Sequence, residues 1–134
     1  MALSDIRDGL GDRLRTISGL RVYDRRPNQL HHPAAIIKRV SSPARVTYTG
    51  HGVHRFEITM LVKHSDIDRA QTELDAYIDL IGTNSIRAAL EADNTLGGTA
   101  EYIDVGDWGE DEDIVYNDME FLGARLPVEV AVTY

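Results

Sequence analysis

The sequence contains no cysteine, and this absence excludes several kinds of chemistry. Disulfide bonds, thiol nucleophiles and thiolate metal ligands are all ruled out. The sequence also lacks any apolar run near the ~18 residues that a membrane-spanning helix needs. Its first residues, MALSDIRDG, are acidic and helix-like and do not form a basic leader followed by an apolar stretch. We therefore expect a soluble protein with no export signal.

The length of 134 residues is typical of one domain, with a core that buries roughly two thirds of the unfolded chain's surface. No internal repeat, low-complexity tract or linker divides the chain. The sequence therefore predicts a single domain over residues 1–134.

The charge is unevenly distributed along the chain. Residues 1–64 hold 11 Lys/Arg and 5 Asp/Glu, a net of +6, whereas residues 65–134 hold 3 and 17, a net of -14. The total of -8 argues against simple wrapping of nucleic acid, because phosphates repel an acidic surface. Two arrangements remain open. The charges could intersperse in the fold, or a basic face and an acidic face could let identical copies bind head to tail.

Apolar residues at steps of three and four predict three helices. The first covers residues 4–17, with Ser4 as its N-cap. The second begins at Ser65 and ends at Gly82, and the third covers residues 85–92.

Strands are predicted elsewhere, from short β-like runs and from apolar residues that alternate with polar ones. LRVYDRRP and AAIIKRV each contain one, and Gly50-His51-Gly52 is predicted to be a hairpin turn. In the last third, GEDED and LGAR are predicted to join three consecutive strands, the last of which runs to Tyr134. Short connections favour antiparallel neighbours. We therefore expect an α+β fold: an antiparallel, meander-type β-sheet with the N-terminal helix and the two middle helices packed on one face.

The Gly97-Gly98 pair is predicted to be a corner and not a phosphate-binding loop. Such a loop follows a strand and opens a helix, whereas this pair follows a helix and precedes a strand. No glycine-flanked serine nucleophile occurs either, so the residues give no support for an enzyme.

The five histidines suggest a metal site only if three or four of them converge. His51 and His54 flank the predicted turn, His31 and His32 are adjacent, and His64 ends a strand, so exposed turn histidines are the simpler interpretation. The acidic residues 107–113 lack the ligand order of a calcium loop and are predicted to be a solvated hairpin tip. We therefore predict neither a metal nor a cofactor.

Over essentially its whole length the chain resembles the small tail terminator, or tail completion, proteins of long-tailed bacteriophages. The residues that carry the resemblance are ISGLRVYDRRP, HRFEITMLVKHSD, DRAQTELDAYIDLIG, SIRAALEADNTLGGTAEYIDVGDW and YNDMEFLGARLPVEVAVTY. The resemblance implies a non-enzymatic α+β protein that forms a ring, usually a hexamer, at the head-proximal end of the virion tail after assembly in the host cytoplasm.

In that role the ring would bind the major tail tube protein, end its polymerisation, and dock a head-side connector or stopper protein. Genomic DNA would pass through the ring without specific binding, and no membrane or cofactor is implied. Two other interpretations stay open: another neck protein, such as a head closure or connector component, and a small ligand- or metal-binding domain.

The charge pattern predicts where copies would touch. We expect Arg25 and Arg26 of one copy to lie near an acidic segment of its neighbour. The candidate residues of that segment are Asp107, Trp108, Glu110, Asp111, Glu112 and Asp113. A second hypothesis is that acidic groups line the ring's channel and repel DNA phosphates.

Overall fold

A computed structural model describes residues 3–23, 25, 29–42, 51–64 and 66–133, with the backbone alone at His51, Ile67 and Thr133. The chain contains helices and strands in mixed order, and the α+β class is confirmed. The elements are α1 (Leu3–Leu14), β1 (Arg21–Tyr23), β2 (Ala34–Ser41), β3 (His51–Lys63), α2 (Ile67–Ile78), α3 (Ile86–Glu91), β4 (Tyr102–Val105), β5 (Glu112–Tyr116) and β6 (Met119–Thr133).

The strands form one sheet in the order β1-β2-β3-β6-β4, and β5 also pairs with β6. β1 runs parallel to β2, and the other pairs are antiparallel. The prediction of a purely antiparallel meander is therefore wrong. Arg21, the first residue of β1, pairs with Ala34, the first residue of β2. The central pair, β3 with β6, joins segments that are far apart in the sequence.

β6 is the central strand of the C-terminal third. One side pairs with β3 along its length, and the other side pairs first with β5 and then with β4. Between these two partners, the Gly106 and Gly109 amides donate to the carbonyls of Pro127 and Arg125 at 2.8 and 2.9 Å. β4 and β5 therefore lie on the same side of β6 and do not form a hairpin with each other.

The turn before β6 lies earlier than the sequence suggested. Asn117 and Asp118 have φ of 50° and 63° between the paired residues Tyr116 and Met119, as in a two-residue hairpin turn. The predicted turn LGAR is wrong because these residues lie inside β6. Gly123 marks a close approach: a Cβ there would stand 2.5 Å from the Met60 carbonyl oxygen.

The predicted helices are present, but their ends differ. α1 begins at Leu3 and ends at Leu14, so Ser4 lies inside it. α2 is capped by Asp66, whose carboxylate accepts from the amides of Asp68 and Arg69, and it ends at Ile78. The predicted cap Ser65 lies outside the described residues. α3 runs from Ile86 to Glu91, inside the predicted 85–92, and Ser85 caps it by accepting from the Ala88 amide at 3.1 Å.

The predicted turn at Gly50-His51-Gly52 is wrong where the structure describes it. His51 and Gly52 belong to β3 and pair with Thr133 and Val132. Residues 43–50, which include Gly50, lie outside the described residues, as does Tyr134.

A single cluster of buried side chains contains residues from the three helices and from β3 and β6. Its residues on each of these two strands alternate along the strand and so share one face, called here the core face. From the helices it includes Ile6, Leu10, Leu14, Ala70, Leu74, Tyr77, Ile86 and Leu90, and from β3 and β6 it includes Phe56, Ile58, Met60, Val62, Leu126, Val128, Val130 and Val132. Each fully buried aliphatic or aromatic side chain contributes about 1.5–3 kcal/mol. The opposite face carries Arg55 and Glu57, which alternate with these residues along β3.

Candidate interaction surface

One edge of the sheet is basic. β1 pairs with β2 only at Ala34–Ile36, and β2 continues past it with Lys38 and Arg39 exposed. Arg21 and Arg25 are exposed on the same edge. We call Arg21, Arg25, Lys38 and Arg39 the basic edge. The predicted site residue Arg26 lies outside the described residues.

The other edge of the sheet is acidic. Residues 88–124, which include β4 and β5, hold eleven Asp/Glu and no Lys or Arg. We call β4, β5 and the segment between them the acidic edge. The sheet thus places the basic and acidic stretches of the sequence on opposite sides of the β3–β6 pair.

Most acidic side chains of residues 107–113 have partners within the chain. The Asp111 carboxylate accepts from Gln71 of α2 at 2.6 Å, Glu112 forms an ion pair with Arg125, and Asp113 lies 3.0 Å from His64 Nε2. The predicted solvated hairpin tip is therefore wrong, because this segment runs along β6 and connects to α2.

Of the five carboxylates in that segment, Asp107 and Glu110 are exposed and make neither an ion pair nor a side-chain hydrogen bond with another residue that the structure describes. These two carboxylates are the ones available to a partner. Three of the segment's five carboxylates thus make contacts within the chain, so fewer of them are available to bind another molecule than its composition suggests.

Trp108 holds the acidic edge in place. Its ring is partly buried and packs against the core cluster. Its Nε1 is buried without a hydrogen-bond partner among the described residues. Nearby, Arg87 of α3 donates to the carbonyls of Val105 and Gly106, which fixes the end of β4.

The exposed charges of the two edges lie at the same height, meaning the same position along the strands. Lys38 pairs with Glu57, and Glu57 pairs with Pro127. The Pro127 carbonyl accepts from the amide of Gly106, the residue before Asp107. A line across the strands therefore runs from Lys38 to the neighbourhood of Asp107.

The sheet curls, and an open groove of about 440 Å³ lies between β2 and β5. Its apolar floor includes Leu61 and Ile114, and its walls include Lys38, Arg39 and Arg125. Arg125 is already engaged with Glu112 and lies 3.6 Å from Glu57. Lys38 and Arg39, by contrast, form no ion pair with another residue that the structure describes, although Arg39 donates to Ser42 Oγ at 3.4 Å.

The glycine pair forms a corner between α3 and β4, as the sequence predicted. Leu96, Gly97 and Gly98 all have positive φ. The Asp93 carboxylate accepts from the Thr95 hydroxyl at 2.9 Å and from the Gly97 amide at 2.9 Å. These hydrogen bonds, first those from Thr95, lower the pKa of Asp93. The Gly97 amide is thus used by the chain's own carboxylate.

The histidines are not all exposed turn residues. His54 is buried in β3, with Nδ1 2.9 Å from Ser42 Oγ. Burial, and then the charge of Arg39, lowers the pKa of His54. His64 is partly buried beside Asp113. His31 is exposed, and the His32 ring lies 6.4 Å from the Phe121 ring.

No protein-family model matches the chain, and no curated protein is significantly similar to it. Among the residues that the structure describes, none of the helices is both long and apolar enough to cross a bilayer.

Sequence reasoning missed Lys38 and Arg39, although the signal was present. AAIIKRV changes from apolar to basic halfway, which marks the point where β2 becomes exposed. It also placed Leu80 and Ile81 within the second helix, with Ile81 on its apolar stripe, whereas α2 ends before them and they are 69% and 77% exposed.

Proposed function

We propose that this chain is a structural subunit that joins copies of itself into a ring, as a tail terminator at the head-proximal end of a long phage tail. The observation that carries the proposal is the pair of oppositely charged edges at the same height on the sheet. The resemblance of the sequence to tail terminator proteins supplies the biological setting.

A ring of identical copies needs a heterologous contact, in which one patch meets a different patch on the next copy. In the proposed contact, Lys38 and Arg39 of one copy face Asp107 and Glu110 of the next. Arg25, and Arg26 beside it in the sequence, extend the basic side. Because both patches lie at one height along the strands, a rotation about an axis roughly parallel to the strands can bring them together.

These charges act mainly on encounter and register. Exposed ion pairs contribute about 0–1 kcal/mol each. Complementary patches nevertheless raise association rates and disfavour wrong orientations. We therefore propose that the isolated chain associates weakly and that the ring closes when the end of a tail tube holds several copies together.

Electron microscopy of the purified protein mixed with preformed tail tubes tests the function. We expect density capping one end of each tube and no further elongation when tube protein is added. DNA-filled heads in a parallel mixture distinguish the other neck roles. Binding to heads and not to tubes would assign the chain to head closure and contradict a tail terminator.

Charge exchange tests the contact itself. Variant A, Lys38→Glu with Arg39→Glu, carries carboxylates on both sides of the proposed contact, and variant B, Asp107→Lys with Glu110→Lys, carries positive charges on both sides. Each variant alone is expected to lose ring formation on tubes because like charges meet at every contact. An equal mixture is expected to restore it, because A and B can alternate around a ring with an even number of copies.

The matched control carries Asp8→Lys and Arg69→Glu, two exposed charges on α1 and α2. It is expected to form rings like the unmodified chain. If variant A alone formed rings at moderate salt, the proposed contact would be contradicted. Restoration by the mixture would be hard to explain in any other way.

The second part of the proposal concerns DNA. An acidic channel repels phosphates, so the assembled ring should not retain DNA. Measurable binding of duplex DNA by the tube-bound ring at physiological salt would contradict this part and leave the capping role unaffected.

A further inference from the structure

His64, Asp113 and Glu120 come together at one end of the sheet. Lys63 pairs with Phe121, so one step further along both strands places His64 opposite Glu120. Asp113 pairs with Leu122, which lies on the same face of β6 as Glu120. Strand register alone therefore puts these three side chains on one face of three adjacent chain segments.

The distances agree with this placement. His64 Nε2 lies 3.0 Å from Asp113 Oδ1. One potential ligand atom from each of the three residues lies within 4.8 Å of the others. In a tetrahedral zinc site, bond lengths of about 2.0–2.2 Å put neighbouring ligand atoms about 3.4 Å apart. Small side-chain rotations of the exposed Asp113 and Glu120 would close the difference.

We propose that His64, Asp113 and Glu120 bind one zinc ion, with water in the fourth position. The imidazole supplies a nitrogen ligand and the carboxylates supply two oxygen ligands, a mixed set that suits Zn²⁺ better than Ca²⁺ or Mg²⁺. The ion also neutralises two carboxylates that otherwise stand close together beside a single imidazole.

The sequence argument against a metal site required several histidines to converge. Register supplies carboxylates from β5 and β6 in place of the other histidines, and neither is near His64 in the sequence. The bound ion would tie the end of β3 to the β5–β6 hairpin. This site is independent of the proposed ring contact, because Asp113 lies beside His64 and the ring contact uses two other carboxylates, Asp107 and Glu110.

Isothermal titration of the full chain with zinc chloride tests the site, on protein treated with chelator and carrying no histidine tag. We expect one ion per chain and a higher Tm in the presence of zinc. Replacement of zinc by cobalt should give the strong visible absorption of a four-coordinate ion. If the chain bound no zinc at concentrations up to millimolar, the proposal would be overturned.

Variants locate the ion. Glu120→Gln keeps the size of an exposed side chain and should weaken zinc binding at least tenfold, as should His64→Ala. His31→Ala, which removes an exposed histidine elsewhere, should leave the affinity unchanged. Zinc binding that survives His64→Ala and Glu120→Gln, or calcium binding as strong as zinc binding, would contradict the assigned ligands.

Discussion

The basic edge and the acidic edge of the sheet differ in how firmly the chain holds them. At the acidic edge, Arg87 fixes the carbonyls of β4, and three of the carboxylates in residues 107–113 have partners on other elements. At the basic edge, β1 has three paired residues, and Lys38 and Arg39 project from β2 beyond it.

This difference shows that the number of charges in a segment does not measure the charge it offers to a partner. The acidic edge has the larger number, yet much of it serves to hold the chain together. The basic edge has fewer charges, and they remain exposed. The predictions below test this contrast, beginning with Gly123, the residue of β6 that pairs with both β3 and β5.

Gly123→Ala is expected to have the largest effect, because Gly123 is where β5 and β3 both approach β6. A Cβ there would stand 2.5 Å from the Met60 carbonyl oxygen and 2.8 Å from side-chain atoms of Leu61 and Ile114. The backbone oxygen cannot move without disturbing the central strand pair. We expect a loss of about 3 kcal/mol in the free energy of unfolding, measured by urea denaturation.

Gly109→Ala provides the matched control on the same edge. A Cβ at Gly109 would lie 3.6 Å from the Arg125 carbonyl oxygen, an ordinary contact. Its cost should stay below about 1 kcal/mol. Equal losses for the two variants would mean that β5 does not pack against β6 as closely as the structure shows.

Arg87→Ala should have the next largest effect. The guanidinium of Arg87 is mostly buried and donates to the carbonyls of Val105 and Gly106. Its removal leaves both acceptors without this donor, at an expected cost of about 2 kcal/mol in the free energy of unfolding. Glu91→Ala removes only the exposed ion pair to Arg87 and should cost about 0.5 kcal/mol or less. Similar costs for both variants would contradict an anchoring role.

The sequence predicted elements better than it predicted their partners. The third helix and the strand after Gly52 were predicted from local patterns, and the structure contains both of them, as α3 and β3. The parallel pairing of β1 with β2 was missed because a three-residue strand has no pattern that records its direction. The turn was predicted at LGAR, whereas the structure places it at Asn117 and Asp118 and uses Gly123 for a close approach between strands.

The candidate surface was predicted in outline. The change from basic to acidic sequence is real, and the sheet places the two stretches on opposite edges. Which carboxylates are free could not be predicted, because Gln71, Arg125 and His64 are their partners only after folding. Local patterns do not encode such long-range pairs.

His54 gives the basic edge a dependence on pH. Its pKa in the folded state is lowered below the ordinary 6.5 by burial and by Arg39. The unfolded chain therefore takes up a proton first, and the stabilisation present above pH 6.5 is lost as the pH falls from that value through the lower pKa of folded His54. His54→Gln should show a smaller loss of unfolding free energy between neutral and mildly acidic pH. His31→Ala should leave the dependence of the unfolding free energy on pH unchanged. If His54→Gln also left that dependence unchanged, groups other than His54 would be responsible for it.

The smallest expected effect separates paired from free carboxylates on the acidic edge. Asp111→Ala removes the 2.6 Å hydrogen bond from Gln71 and should cost about 0.5–1 kcal/mol in the free energy of unfolding. Asp107→Ala removes an exposed carboxylate without such a partner and should change that free energy by less than about 0.5 kcal/mol. In an assay of tail-tube binding, Asp107→Ala should have the larger effect and Asp111→Ala the smaller one. Asp107 faces the neighbouring copy in the proposed ring, whereas Asp111 faces α2. If Asp107→Ala destabilised the isolated chain as much as Asp111→Ala, the division of this edge into holding and binding charges would be wrong.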